Sequence, residues 1–214
     1  LGGTTAGLFS ALLIAFTPAI IQRGNLGWFK SEPLGLFFAL LALYLLISAL
    51  KHKPKIAIVK AIVGGLLLGL ANASWGGIQY FSIPISLYFF AVTFLRNDIK
   101  VPLIVAILFT AAAILSAGLS PRPGLSFVFG LPGIALIGGT IFLIISSIVR
   151  KLSSSNTFLR NNWILLGAFF GIAIGIILSG SFHGSSFRYL NAVNPFLSSQ
   201  NPLVESVAEH FTPT

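Results

Sequence analysis

The sequence has no cysteine and no methionine, and only 8% of its 214 residues are charged. Without cysteine there is neither a disulfide framework nor a thiolate metal site, and the redox compartment stays open. Soluble domains carry about 25% charged residues, so water is not the main solvent of this chain. Acidic residues are the scarcest charge, four Asp and Glu against thirteen Lys and Arg, for a net charge of +9. The missing methionine, with Leu1 opening inside an apolar run, reads as a piece of a longer protein.

What is present is mostly apolar: hydrophobic residues make up 56% of the chain, and the mean hydropathy is +0.96. A secretory signal accounts for a single apolar run of about 7 to 15 residues near the start, whereas here such runs recur to the end. Seven of them approach the roughly 20 residues a membrane-spanning helix requires: 8–21, 33–50, 57–75, 78–95, 101–119, 126–149 and 163–179. Open sheet edges are not satisfied in lipid, and no run alternates as a barrel strand does. The expected fold is therefore all-α, a polytopic transmembrane helical bundle of about seven spans over 1–179, with a long outer-face loop over 180–214.

The basic residues sit in short clusters between apolar runs, which argues against nucleic acid as a partner and for topology signals beside a lipid bilayer. Lys51, Lys53, Lys55, Lys60, Arg96, Lys100, Arg150, Lys151 and Arg160 fall in one set of loops, and Arg23, Lys30, Arg122 and Arg188 in the alternate set. The positive-inside rule places the first set in the cytoplasm. Segments 22–32, 120–124 and 180–214 then face outward. Glu32, Glu205 and Glu209 lie in those outer segments and Asp98 alone lies inside, so polar chemistry belongs on the outer face.

The first outer segment runs from Gln22 through Arg23, Trp28 and Lys30 to Glu32, followed by Pro33 and an apolar helix. Proline favours the first helical position, which puts Glu32 at or beside the helix N-cap, stabilised by the positive end of the helix dipole. At the far end, Glu205 and Glu209 share a face in a helix, at i and i+4, and equally in an extended strand. Hard divalent cations such as Mg²⁺ or Mn²⁺ prefer oxygen ligands, so Glu32 and Glu209 form a candidate metal pair. The blander alternatives are a capping residue and solvated loop acids. His183 and His210 lack the paired spacing of a zinc site and are given no role. Gly76-Gly77 after Trp75 marks a tight turn or a close helix contact, with Trp75 and Tyr80 as interfacial aromatics. Asn72-Ala73-Ser74 fits the N-glycosylation acceptor pattern, but its place inside an apolar run argues against modification.

Three segments in order carry a resemblance: Arg23-Gly24-Asn25-Leu26-Gly27-Trp28-Phe29-Lys30-Ser31-Glu32, then Ala73-Ser74-Trp75-Gly76-Gly77, then Asn201-Pro202-Leu203-Val204-Glu205-Ser206-Val207-Ala208-Glu209-His210. Together they resemble the catalytic subunit of archaeal and eukaryotic N-oligosaccharyltransferases. The resemblance implies metal-dependent, inverting transfer of an oligosaccharide from a dolichol-linked donor to the Asn of Asn-x-Ser/Thr in an acceptor polypeptide. The active face would be extracytoplasmic, at the cell membrane of a prokaryote or in the ER lumen of a eukaryote. Ser206-Val207-Ala208-Glu209 is similar to the family motif that meets the acceptor and the metal, so Ser206, Val207 and Glu209 take acceptor-binding roles and Glu209 a catalytic and metal role as well. Glu32 matches the second acid of the family's Asp-x-Glu motif, and Arg23 its upstream arginine, with a catalytic role. Arg23 and Arg188 are phosphate contacts for the donor, Arg188 having interfacial anchoring as its alternative.

Lys30 departs from the pattern, because the family has Asp there and an ammonium has no lone pair for Mg²⁺ or Mn²⁺; either this branch builds the metal site without that ligand, or this copy is weakened or inactive. The resemblance also implies an acidic motif before Leu1 and a soluble domain with a Trp-Trp-Asp-Tyr-Gly motif after Thr214, so the 214 residues alone are expected to be inactive. Two other enzyme or carrier classes compete. A different lipid-phosphate-sugar-dependent membrane glycosyltransferase would share the outer acids without the Ser-Val-x-Glu segment. A transporter would place ionisable residues in mid-span, and no run has one. A purely structural membrane subunit leaves the outer grouping of Arg23, Glu32 and Glu209 unexplained.

Overall fold

The computed structural model describes residues 3–18, 20–21, 31–96, 98–153 and 155–178. The chain divides into two units, 1–172 and 173–214; of the second, only the helical residues 173–178 are described.

Among the described residues all regular structure is helical. The elements are α1 (Gly3–Ala15), α2 (Ser31–Ala49), α3 (Pro54–Ser74), a 3₁₀ turn (Gly76–Ile78), α4 (Gln79–Leu95), α5 (Lys100–Leu119), the short α6 (Ser126–Phe129), α7 (Leu131–Leu152) and α8 (Ser155–Leu178). Five stretches are long and apolar enough to cross a membrane: α2, α3, the 3₁₀ turn with α4, α5 and α7. The all-α membrane bundle expected from the apolar runs is the fold observed, and the protein is an integral membrane protein.

Two expected runs are broken, and proline explains both breaks. The stretch 8–21 does not form one helix: α1 ends at Ala15 and the chain turns at Phe16 and Thr17, ahead of Pro18, which disfavours helical backbone at the residue before it. The 13-residue α1 is shorter than a span, and from Gly3 to Phe16 every residue is exposed. The stretch 126–149 is interrupted at Gly130, whose φ −81°, ψ 165° is extended. Pro132 lies in the first turn of α7, where its missing N–H costs nothing. The run thus splits into the four-residue α6 and the 22-residue α7. At the last run the helix starts earlier than its apolar part, at Ser155, and Ser179 lies outside the described residues.

The helices pack as a row in which α2 lies on α3, α3 on α5, α5 on α7 and α7 on α4. The buried positions of α2, namely Gly35, Ala39, Ala42, Leu46 and Ala49, recur every three or four residues and form one stripe, small in side chain except at Leu46. Hydrophobicity drives little helix association in lipid, so close packing of small residues carries it. Helices α3 and α5 approach closely. A Cβ built on Gly65 would meet the Phe109 carbonyl and the Ala112 side chain, and one on Gly69 would meet Ser116 and the Ala113 carbonyl. Across this seam the Ser116 hydroxyl donates to the Leu66 carbonyl at 2.9 Å.

The α4–α7 pair uses the same device, with Gly139 seated on Ser86 and the Ser86 hydroxyl donating to the Ala135 carbonyl. Large side chains hold α8 against α4 and α7 instead: Phe169 stands 5.9 Å from Phe90 and 5.6 Å from Phe142, ring centre to ring centre, and Trp163 stands 4.7 Å from Phe94. Such offset and edge contacts add to the burial of the rings.

Candidate functional site

The alternating helices sort the charges between two ends of the bundle. The C-terminal ends of α2, α4 and α7 and the N-terminal ends of α3, α5 and α8 gather Lys51, Lys53, Lys55, Lys60, Arg96, Lys100, Arg150, Lys151 and Arg160 at one end. Hydrogen bonds tie this end together. Lys60 Nζ donates to the Ser48 hydroxyl at 2.7 Å, and Arg150 Nη2 to the Thr93 carbonyl at 2.8 Å. The Arg150 guanidinium also lies 4.3 Å from the centre of the Phe158 ring, within cation–π range. Asp98 serves this end as a cap: its carboxylate accepts from the Lys100 backbone N–H at 3.0 Å, one of the donors a helix start leaves unmet.

The opposite end carries Glu32. It is the second residue of α2 and half-buried; the helix starts at Ser31, two residues ahead of Pro33, so Glu32 lies inside the first turn rather than at the cap. One turn on, a Cβ at Gly35 would lie 3.0 Å from Cβ of Trp75 and 3.4 Å from the Ala71 carbonyl. The start of α2 is therefore pressed directly onto Trp75, and this contact sets where Glu32 stands. Trp75 in turn lies over Gly77, where any Cβ would collide with the indole, so Gly76-Gly77 is both a tight 3₁₀ turn and a close contact. The Trp75 N–H closes α3 on the Ala71 carbonyl at 3.0 Å.

The segment 120–130 completes this end. Gly124 takes φ +62°, a left-handed value that favours glycine. Phe127 anchors α6 in the core at 2% exposure, and a Cβ on Gly133 would strike the Phe127 carbonyl, so α6 packs tightly on the start of α7. Arg122 lies in this turn.

Of the residues expected to act, the described structure thus contains Glu32, placed at the same end as the Trp75-Gly76-Gly77 turn. Arg23, Lys30, Arg188, Ser206, Val207 and Glu209 lie outside the described residues, as do Glu205, His183 and His210. Among the described residues no three His, Cys, Asp or Glu side chains gather. Asn72 is buried in α3 and its amide donates to the Leu68 carbonyl at 2.9 Å, a setting closed to modification.

Sequence reading overlooked the polar node of the basic end. Asn162, fully buried, donates to the Thr93 hydroxyl at 3.0 Å and accepts from the Ser146 hydroxyl at 2.6 Å. The available signal was a polar side chain beside Trp163 at the start of an apolar run, which only a partner on another helix makes meaningful.

The family model for oligosaccharyl transferase STT3, N-terminal, matches residues 1–179. Over 225 aligned residues the chain is 26% identical to the dolichyl-diphosphooligosaccharide–protein glycosyltransferase subunit STT3A of rice, Oryza sativa subsp. japonica, covering 99% of this chain and 28% of that protein. The chain spans less than a third of the length of this relative. Because the family match runs through every described helix, the chain belongs to the oligosaccharyl transferase STT3 family.

Proposed function

We propose that the chain serves in the catalytic subunit of an oligosaccharyltransferase of the archaeal and eukaryotic type, which moves an oligosaccharide from a dolichol-linked donor to the side-chain amide of Asn in Asn-x-Ser/Thr. The observation that carries this reading is the position of Glu32, held at the end of the bundle opposite the nine basic residues by the contact of Gly35 with Trp75. In a member of this family, that end is the extracytoplasmic face and the basic end the cytoplasmic one.

Glu32 and Glu209 are the carboxylates that would hold Mg²⁺ or Mn²⁺; hard oxygen donors suit either ion. Bound there, the ion would offset the charge that develops on the leaving phosphate. Lys30 contributes no ligand, so within these 214 residues the acid ligands would be Glu32 and Glu209, beside the acidic motif that the resemblance implies before Leu1. Arg23 and Arg188 bind donor phosphate through charge-assisted hydrogen bonds. Ser206 and Val207, with Glu209, hold the acceptor so that its amide attacks the anomeric carbon in line, with inversion.

The test is glycosylation of an Asn-x-Thr peptide by membranes that hold the full product of the gene and its native lipid-linked donor, with Mn²⁺ or with EDTA. Transfer that needs the metal and is lost in Glu209→Ala is the expected result. No transfer by the wild-type protein with a competent donor overturns the reading.

A further inference from the structure

The helices α2 and α4 are the two ends of the packed row, and they face each other across a gap instead of interlocking. The 3₁₀ turn Gly76–Ile78 touches both and bridges the gap at the Glu32 end. Toward the basic end the gap forms a half-open groove of about 550 Å³, lined from Leu43 to Lys51 on one side and by Tyr80 to Tyr88 with Arg96 on the other. At 1.5 Å per helical residue the wall from Leu43 to Lys51 is about 12 Å long, close to the roughly 15 Å of hydrocarbon in one membrane leaflet.

The wall is apolar, built from Leu43 and Ile47 of α2 and Phe81 and Pro84 of α4, and the lining holds no carboxylate. Its mouth carries two cations that come from different helix ends, Lys51 just past α2 and Arg96 just past α4. Arg96 leans across the mouth, its Nη1 3.5 Å from the carbonyl of Leu50, the neighbour of Lys51. Asp98, the nearest acid in sequence, is engaged with the Lys100 N–H.

A trough that is apolar along its length and doubly cationic at one end complements an amphiphile with an alkyl chain and an anionic head. A partner's transmembrane helix would fill the trough but would have to cover Lys51 and Arg96. A zwitterionic lipid would bring its own ammonium against them. Basic pockets between transmembrane helices take acidic headgroups.

We propose that the groove between α2 and α4 binds one anionic glycerophospholipid, its phosphate between Lys51 and Arg96 and one acyl chain along Ile47 and Pro84. The headgroup end of the site, at Lys51, lies at the other end of α2 from Glu32, about 28 Å away along the helix, and is separate from the transfer chemistry.

The experiment uses a Tyr88→Trp reporter, Tyr88 being a groove residue, in the full chain reconstituted into phosphatidylcholine vesicles. Dibrominated phosphatidylglycerol or dibrominated phosphatidylcholine then quenches the added tryptophan. Each cation near a membrane surface contributes about fivefold in affinity for acidic lipid, so quenching by the glycerol lipid should be favoured by about tenfold or more. The pair Lys51→Gln with Arg96→Gln should abolish that preference, while Lys53→Gln with Lys55→Gln, the same loss of charge at exposed positions outside the groove, should retain it. Equal quenching by the two lipids, a preference that survives the groove pair, or one lost equally in the outer pair overturns the proposal. So does the absence of quenching by either lipid, which would mean that protein fills the groove. Native mass spectrometry of the protein with Tyr88 intact supplies the same comparison without the reporter: one retained phosphatidylglycerol, lost in the groove pair.

Discussion

Asn162 donates a hydrogen bond to Thr93 at 3.0 Å across 69 residues of sequence. The same carboxamide accepts from Ser146, so one buried side chain joins α4, α7 and α8 where the basic end begins. Thr93 donates onward to the Phe90 carbonyl at 2.9 Å, and each polar atom of this node has a partner.

Asn162→Ala should therefore lower the stability of the bundle by about 1–3 kcal/mol, the usual cost of leaving buried groups unmet, measured by denaturation in mixed micelles. Ser82→Ala is the contrast. The Ser82 hydroxyl is buried with no hydrogen-bond partner among the described residues, so its removal should be neutral or stabilising.

At the α3–α5 seam, Gly65→Leu should cost about 3 kcal/mol or more, because the side chain would have to push apart two backbones that cannot yield locally. Gly118→Ala, on α5 with nothing within 4 Å of its added Cβ, should change stability by no more than about 0.5 kcal/mol. Equal losses at the two positions would show that the seam is not packed as described.

The Thr110 and Thr140 hydroxyls lie 2.8 Å apart, and Thr140 also donates to the Leu136 carbonyl at 2.8 Å. A hydroxyl has one proton, so Thr110 is the donor between them. A double-mutant cycle with Thr110→Val and Thr140→Val should return a coupling of about 0.6 kcal/mol, the mean for such bonds within membranes, and no more than about 1.7 kcal/mol.

Lys30→Asp restores the acid that the family motif has at that position and replaces a cation with an anion beside Glu32 in sequence. The Mn²⁺ concentration needed for half-maximal peptide glycosylation should fall by roughly tenfold, since site charge sets the affinity of oxygen-ligated cations. An unchanged metal requirement would separate residue 30 from the metal site.

The helical class, the approximate spans and the sorting of charge between the two ends were legible because they follow from composition and order alone: lipid leaves the backbone few options, and loops separate the runs. The breaks at Thr17–Pro18 and Gly130–Pro132 were legible too, in the prolines, but continuous apolarity masked them. The Gly65-Leu66-Leu67-Leu68-Gly69 pattern inside the run 57–75 was an unused sign of a close helix contact. Of the candidate site, Glu32 was correctly anticipated at a helix start.

Which face of each helix turns inward was decided only by tertiary structure. Phe37 is 59% exposed and Phe89 1% exposed, yet both are phenylalanines in uniformly apolar runs. In a water-soluble helix the polar face marks the outside; in a membrane the surroundings are as apolar as the core, and that mark is gone. Pattern then identifies the spans, while the partners of Asn162, Gly65 and Trp75, and the groove between α2 and α4, arise from how close each backbone can come to the next.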